Sequence, residues 1–160
     1  LKGVNRMSET KIVELDELKL VGFRVLCSGE EYIVEIPKAS FRLSERISEI
    51  KQVVNPLQQC GAFVVENETV DKDGYWVCVE VKEHEDIPSD MVTLTIPSQR
   101  YAVTRHKGDN NKIMNTYDEL HKWIDDNNYI RLKDKWHLEK FYSWKDVKNV
   151  DVELFDTICK

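Results

Sequence analysis

The sequence predicts an α+β fold: a tandem duplication of a strand–helix–strand–strand unit, giving an antiparallel sheet with two helices on one face and a central cleft. Three observations lead there. Two widely separated segments carry the same helical spacing of apolar residues. Each is preceded by one strand-like run and followed by two more. Neither half holds enough helix to cover a sheet of its own, so the halves must share one.

The elements follow in order. A first strand is expected over Leu18 to Cys27, where Val and Leu recur. Leu43, Ile47, Ile50 and Val54 are spaced i, i+4, i+7, i+11, on one face of a helix over about 41–54. Ser40 is its expected N-cap, and Asn55-Pro56 its stop, because proline cannot continue the hydrogen-bond ladder. Gly61 to Glu66 then reads as a strand. The Asp71-Lys72-Asp73-Gly74 turn leads into another at Tyr75 to Val81, since glycine takes positive φ cheaply. The second unit opens with Met91 to His106. Ile113, Tyr117, Leu120 and Ile124 repeat the helical spacing over about 112–126, with Asp109 or Asn110 as cap and Asn127-Asn128 as stop. Trp136 to Tyr142 and Val150 to Ile158 complete it. Residues 1–9 read as an extension or linker, and 10–160 as a single domain with repeats at about 10–84 and 90–160.

Composition narrows the function. With 41% apolar and 32% charged residues, the 160-residue chain is of ordinary globular type. No run approaches the ~20 apolar residues of a membrane span. Leu1 to Arg6 lacks the apolar core of a signal peptide, so a cytoplasmic location is expected. A net charge of −6 without a basic patch argues against direct nucleic-acid binding. The basic stretch Arg131 to Lys140 is broken by Asp134 and Glu139 and reads as a solvated loop. Cys27, Cys60, Cys78 and Cys159 form no CxxC and read as reduced thiols; His84, His106, His121 and His137 fall at no metal-ligand spacing. No cofactor and no metal are therefore expected. Neither a nucleophile elbow nor a phosphate loop occurs, and the single glycine of His106-Lys107-Gly108-Asp109 makes only a strand-to-helix turn.

The candidate chemistry is aromatic and acidic. Strand alternation sets Tyr75, Val77, Val79 and Val81 against Trp76, Cys78, Glu80 and Lys82, and the mixed second set suits a cavity lining or a solvent face. Glu139 shares a face with His137 and Phe141. A carboxylate among rings is either solvated or held in a pocket, where it needs a cation, a donor or a raised pKa. Rings at Trp76, Tyr101, Tyr117, Trp123 and Phe141 with Glu139 make the candidate ligand site; the same rings also suit a core.

Ile96-Pro97-Ser98-Gln99-Arg100-Tyr101-Ala102-Val103-Thr104-Arg105-His106-Lys107-Gly108 resembles the IP-x-x-x-YAV-x-x-H-x-G segment of gyrase-inhibitor-like (GyrI-like) effector-binding domains. So do Ile87-Pro88, Met91, Thr116-Tyr117 to Leu120, Trp123-Ile124, and Gly74-Tyr75-Trp76 to Glu80-Val81. Leu138-Glu139-Lys140-Phe141 resembles the family's F-E-x-Y strand, with Leu and Phe in place of the usual aromatics, and Val21 to Val25 is the anchor in the first repeat. The resemblance implies two repeats around a cleft in which a strand glutamate, here Glu139, meets cationic aromatic ligands. It implies multidrug sensing for bacterial transcription regulation, as a free-standing protein or as part of a regulator that would then be its partner. The family also implies two alternatives: hydrolysis of cyclopropane-bearing natural products through Glu139, and gyrase-inhibitor-like protein interaction. One glutamate with a tyrosine is a thin catalytic set, so binding is the leading expectation and an enzyme the lesser one.

Overall fold

A computed structural model describes residues 9–67 and 69–159. The first half contains β1 (Lys11–Leu15), β2 (Leu18–Val25), α1 (Tyr32–Glu45), β3 (Gln59–Val64) and β4 (Tyr75–Val81). The second contains β5 (Val92–Ile96), β6 (Gln99–Gly108), α2 (Ile113–Asp126), the short β7 (Ile130–Arg131), β8 (Trp136–Ser143) and β9 (Val150–Cys159). Each unit is thus strand–strand–helix–strand–strand, one strand longer at its start than the sequence pattern indicates. In the first unit the extra strand is β1; in the second, Pro97 divides the Met91-to-His106 run into β5 and β6, because it offers no N–H to a ladder.

The first helix lies earlier than its apolar spacing suggests. A Ser28–Glu31 capping box opens a 3-10 turn at Gly29–Glu31 that runs into α1. Ser40 is therefore not an N-cap but a buried mid-helix residue beside Ala39 and Leu43. Past Arg46 the chain tightens into a 3-10 turn at Ile47–Glu49, so Ile50 still reaches the core while Val54 is exposed. Pro37 sits in the second turn of α1, where it has no N–H to bond the carbonyl four residues before it. The second helix matches its pattern: Asp109 Oδ1 accepts from the Asn111 N–H at 2.8 Å, and Asn127 closes the last turn.

Nine antiparallel strands form the sheet, in the order β1-β6-β9-β8-β3-β4-β2-β5, with β7 beside β9. Exchanging each strand for its counterpart in the other half reverses this order, so a pseudo-twofold axis passes between β3 and β8. One constant sequence offset carries Lys11 onto Val92, Leu20 onto Tyr101 and Tyr32 onto Ile113. The two-residue connections Asp16-Glu17 and Pro97-Ser98 join strands from opposite ends of the order. Such a link reaches about 10 Å, so the ends of the sheet curl toward each other.

That curl encloses one core: Leu20, Trp76, Ile96, Tyr101, Leu138 and Phe155, with Val13 and Leu15 of β1 packed against them. Both helices lie on the other face. There α1 covers Val21, Phe23, Val77 and Val79, and α2 covers Ala102, Val152 and Leu154. Among the described residues no helix is long and apolar enough to cross a membrane.

Candidate functional site

Strand register builds the site. On the helix-bearing face, a row of paired residues runs Phe23, Val77, Gly61, Glu139, Leu154, Thr104 across six strands. Glu139 and Gly61 are its central pair, directly opposite one another on β8 and β3 beside the pseudo-twofold axis. The duplicated scaffold therefore carries a carboxylate on one side of its axis and no side chain on the other.

The vacated space is used by a ring. A Cβ at Gly61 would stand 1.7 Å from the Tyr75 hydroxyl oxygen, so glycine is required where that ring crosses β3. Tyr75 Oη donates to Glu139 Oε1 at 2.6 Å, and Tyr117 Oη, from α2, donates to Oε2 at 2.5 Å. Phe63 stacks beside Tyr75 with ring centroids 5.9 Å apart.

Glu139 is 9% exposed. Burial pushes its carboxyl above the ordinary carboxylate range, and the hydroxyls of Tyr117 and Tyr75 pull it part of the way back. Burial, and then the charge of Glu139, raises both phenols well above their usual value, so they remain protonated donors.

Above this triad opens a cavity of about 230 Å³ between α1, the start of α2 and the segment after β8. Tyr32, Ile36 and Phe41 of α1 form one wall; Phe141, Trp144 and Val147 form the other. The Trp144 Nε1–H is buried without a hydrogen-bond partner among the described residues, so it is available as a donor. The cavity is mostly apolar and open on one side, with the Glu139 carboxyl at its floor and the exposed Lys145 at its edge.

Of the residues singled out from sequence, Tyr117, Glu139 and Phe141 come together here. Trp76 does not. It lies on the opposite face, packed edge-on against Trp136 at 5.0 Å and beneath the Arg24 guanidinium at 4.7 Å. Tyr101 is fully buried on that same face, edge-on to Phe155 at 5.5 Å and accepting from Gln99 Nε2 at 2.7 Å. Trp123 stacks on Tyr129 at 6.0 Å, near the C-terminal end of α2. Alternation gives the reason for Trp76: successive strand residues face opposite ways, so if Tyr75 points at Glu139, Trp76 cannot. Tyr75 shares its face with the valines that the helices cover but is not among the residues expected in the site, and the α1 wall is missed because the apolar spacing sets that helix too late.

Next to the triad, α2 and the sheet bury a charged cluster. Asp156 is fully buried and accepts from His121 Nε2 at 2.8 Å and Arg131 Nε at 3.0 Å, with His137 Nδ1 at 3.4 Å. Burial pushes its carboxyl up, but His121, His137 and Arg131 outweigh that and hold it below its ordinary range. The Tyr117 and His121 rings lie 5.8 Å apart.

The sequence of residues 8–155 matches the GyrI-like small molecule binding domain. The chain belongs to that family. No curated protein matches it significantly. Solved structures share the fold at low identity. SAV2435, solved bound to tetraphenylphosphonium, superposes with a TM-score of 0.71 at 17% identity, over 94% of this chain and 94% of that one. The EcmrR C-terminal domain gives 0.65 at 15%, over 97% and 99%. In the EcmrR–DNA complex the match gives 0.69 at 18% over 96% of this chain but only 58% of the longer EcmrR chain. A hydrolase from Listeria innocua is further off, at 0.57 and 11%, over 98% and 94%. The GyrI-like chain thus shares the architecture of regulator effector domains.

Proposed function

We propose that the cavity over Glu139 is an effector site for flat or bulky hydrophobic cations, and that the domain senses such compounds for transcription regulation without itself contacting DNA. The carrying observation is a buried carboxylate held by two tyrosines at the floor of an apolar, ring-walled cavity. Burial makes its charge costly, and a cation restores what solvent no longer supplies. Stacked rings add cation–π attraction. Together these favour a cation over a matched neutral compound by about 2 kcal/mol, roughly thirtyfold in affinity. The tetraphenylphosphonium named for SAV2435 and the regulator context of EcmrR agree with this reading.

The test is a tryptophan-fluorescence titration, with Trp144 in the cavity wall, using tetraphenylphosphonium, triphenylphosphine oxide and tetraphenylborate as cation, neutral and anion. The expected order is cation, then neutral, then anion, and Glu139→Gln should level the first two. Equal affinities in the wild type would sink the proposal. Cation affinity should also fall as pH drops through the raised pKa of Glu139, because protonation removes the charge the ligand needs.

A hydrolase is the second reading, favoured by one observation: a carboxylate and two phenols converge on one cavity. Incubation with spirocyclopropane electrophiles, followed by mass spectrometry, separates the two. Water addition that disappears in Glu139→Gln would establish turnover.

A further inference from the structure

A second cavity, of about 190 Å³, opens on the face of the sheet turned away from Glu139. Leu15, Leu20, Leu138 and Phe155 form its apolar body. Two ionisable side chains of opposite sign border it, Glu80 on β4 and Lys140 on β8, and both are half-buried. Among the described residues neither carboxylate nor ammonium forms a hydrogen bond or ion pair.

That isolation follows from register. The order β8-β3-β4 sets Lys140 level with Cys60 and Cys78, and Glu80 lies two residues further along β4, so the two charged residues stand about 12 Å apart at the backbone. Glu80 stands opposite Leu20, which offers it nothing. Lys140 stands opposite Glu153, whose Oε1 already accepts from Tyr142 at 2.5 Å. Both are partly solvent-exposed and neither is engaged by a protein partner, so each is open to the opposite charge of a bound ligand. Cys60 supplies no counter-charge, since burial pushes its thiol up to about 12 and keeps it neutral.

We infer that this cavity is a second ligand site, for a small zwitterion with an apolar body, such as an amino acid with an aliphatic or aromatic side chain. The ammonium of the ligand meets Glu80, its carboxylate meets Lys140, and its side chain enters the leucine-lined interior. A purely cationic or purely anionic compound would satisfy one border charge and repel the other. The inference does not depend on the effector reading, because the two cavities share no side chain and open on opposite faces.

The experiment is an amide-detected NMR titration of the whole chain with L-phenylalanine, L-leucine, N-acetyl-L-phenylalanine and L-phenylalanine amide. Concentrations reach about 10 mM, well above a weak Kd of ~1 mM. The two amino acids should shift amides around Leu20, Cys60 and Leu138. Each blocked derivative should bind at least about tenfold more weakly, the size of one charge-assisted hydrogen bond. Glu80→Gln should remove the discrimination against the N-acetyl compound, and Lys140→Met that against the amide. Glu139→Gln should leave all four titrations unchanged. Absence of shifts in the wild type would overturn the proposal, as would equal binding of all four compounds. So would shifts centred on Tyr117 and Glu139, which would assign the amino acids to the other cavity. The ligand derivatives carry the test even if a substitution fails to fold.

Discussion

The two halves of the molecule share a backbone plan and differ in what they place on it. In the second half, α2 and the sheet enclose Asp156 with His121 and His137. At the matching places in the first half stand Val79, Ser40 and Gln59, where Gln59 Nε2 donates to the Ser40 carbonyl at 2.9 Å. At the axis, Glu139 faces Gly61. One half therefore supplies charge, while the other supplies room for Tyr75 and the apolar α1 wall. Duplication produces a symmetric cleft, but a symmetric pair of carboxylates there would repel across a single strand spacing. Asymmetry at the central row is what makes the cleft usable.

This contrast can be broken by substitution. The largest effect is expected for Asp156→Asn, which leaves Arg131 and two histidines around a neutral amide. Removing one partner from a buried ionic cluster costs about 3–5 kcal/mol, read as a loss in denaturant midpoint at neutral pH. Because the Asp156 pKa is depressed, its contribution is present above the ordinary value of 3.8 and lost as pH falls through its folded value. The gap between variant and wild type should therefore close in acid. A gap that stays constant with pH would mean that the cluster acts by packing alone.

Gly61→Ala comes next. Its methyl must expel the Tyr75 ring, at about 1–3 kcal/mol of overpacking, and should abolish tetraphenylphosphonium binding along with the Tyr75–Glu139 bond. Of similar size are Tyr75→Phe and Tyr117→Phe, each removing one hydrogen bond to a buried carboxylate, for about 2 kcal/mol. Both should move the pH dependence of cation binding upward, since each hydroxyl now lowers the Glu139 pKa. A shift from Tyr117→Phe alone would show that the first half contributes only space. Glu139→Gln has the smallest effect on stability and the opposite sign. A carboxyl whose folded pKa is raised is destabilising above that pKa, so the variant should melt above wild type at pH 7, and the difference should vanish as pH falls toward 4.5.

How much of this was legible depends on local signals. The strands at Gln59–Val64, Tyr75–Val81, Trp136–Ser143 and Val150–Cys159, and the second helix, follow from alternation, apolar spacing and caps. β1 was not legible, because Lys11 and Glu14 leave too short an apolar pattern in Lys11–Leu15. The start of α1 was written in Ser28 and Glu31, but Pro37 obscured it and the apolar phase of Leu43, Ile47 and Ile50 drew the helix onward. The central glutamate was reachable through its neighbours and the family pattern. Its tyrosine partner on β4 was not, because the curled sheet buries both faces. Val77 and Val79 are as inaccessible as Trp76 and Cys78, so burial alone could not say which face looks into the cleft.

The strand order has one more consequence. Among the described residues, β1 belongs to the first half yet pairs with β6 of the second alone, while β5 belongs to the second and pairs with β2 of the first alone. Each half thus lends its leading strand to the other. An isolated half would expose the edge that its missing guest strand covers, an invitation to recruit a second copy. In terms of assembly the single chain has the strand pairing of a strand-swapped dimer laid out along one polypeptide. The single chain holds the halves at a fixed one-to-one ratio, and so lets one carry a glutamate at the axis while the other carries a glycine.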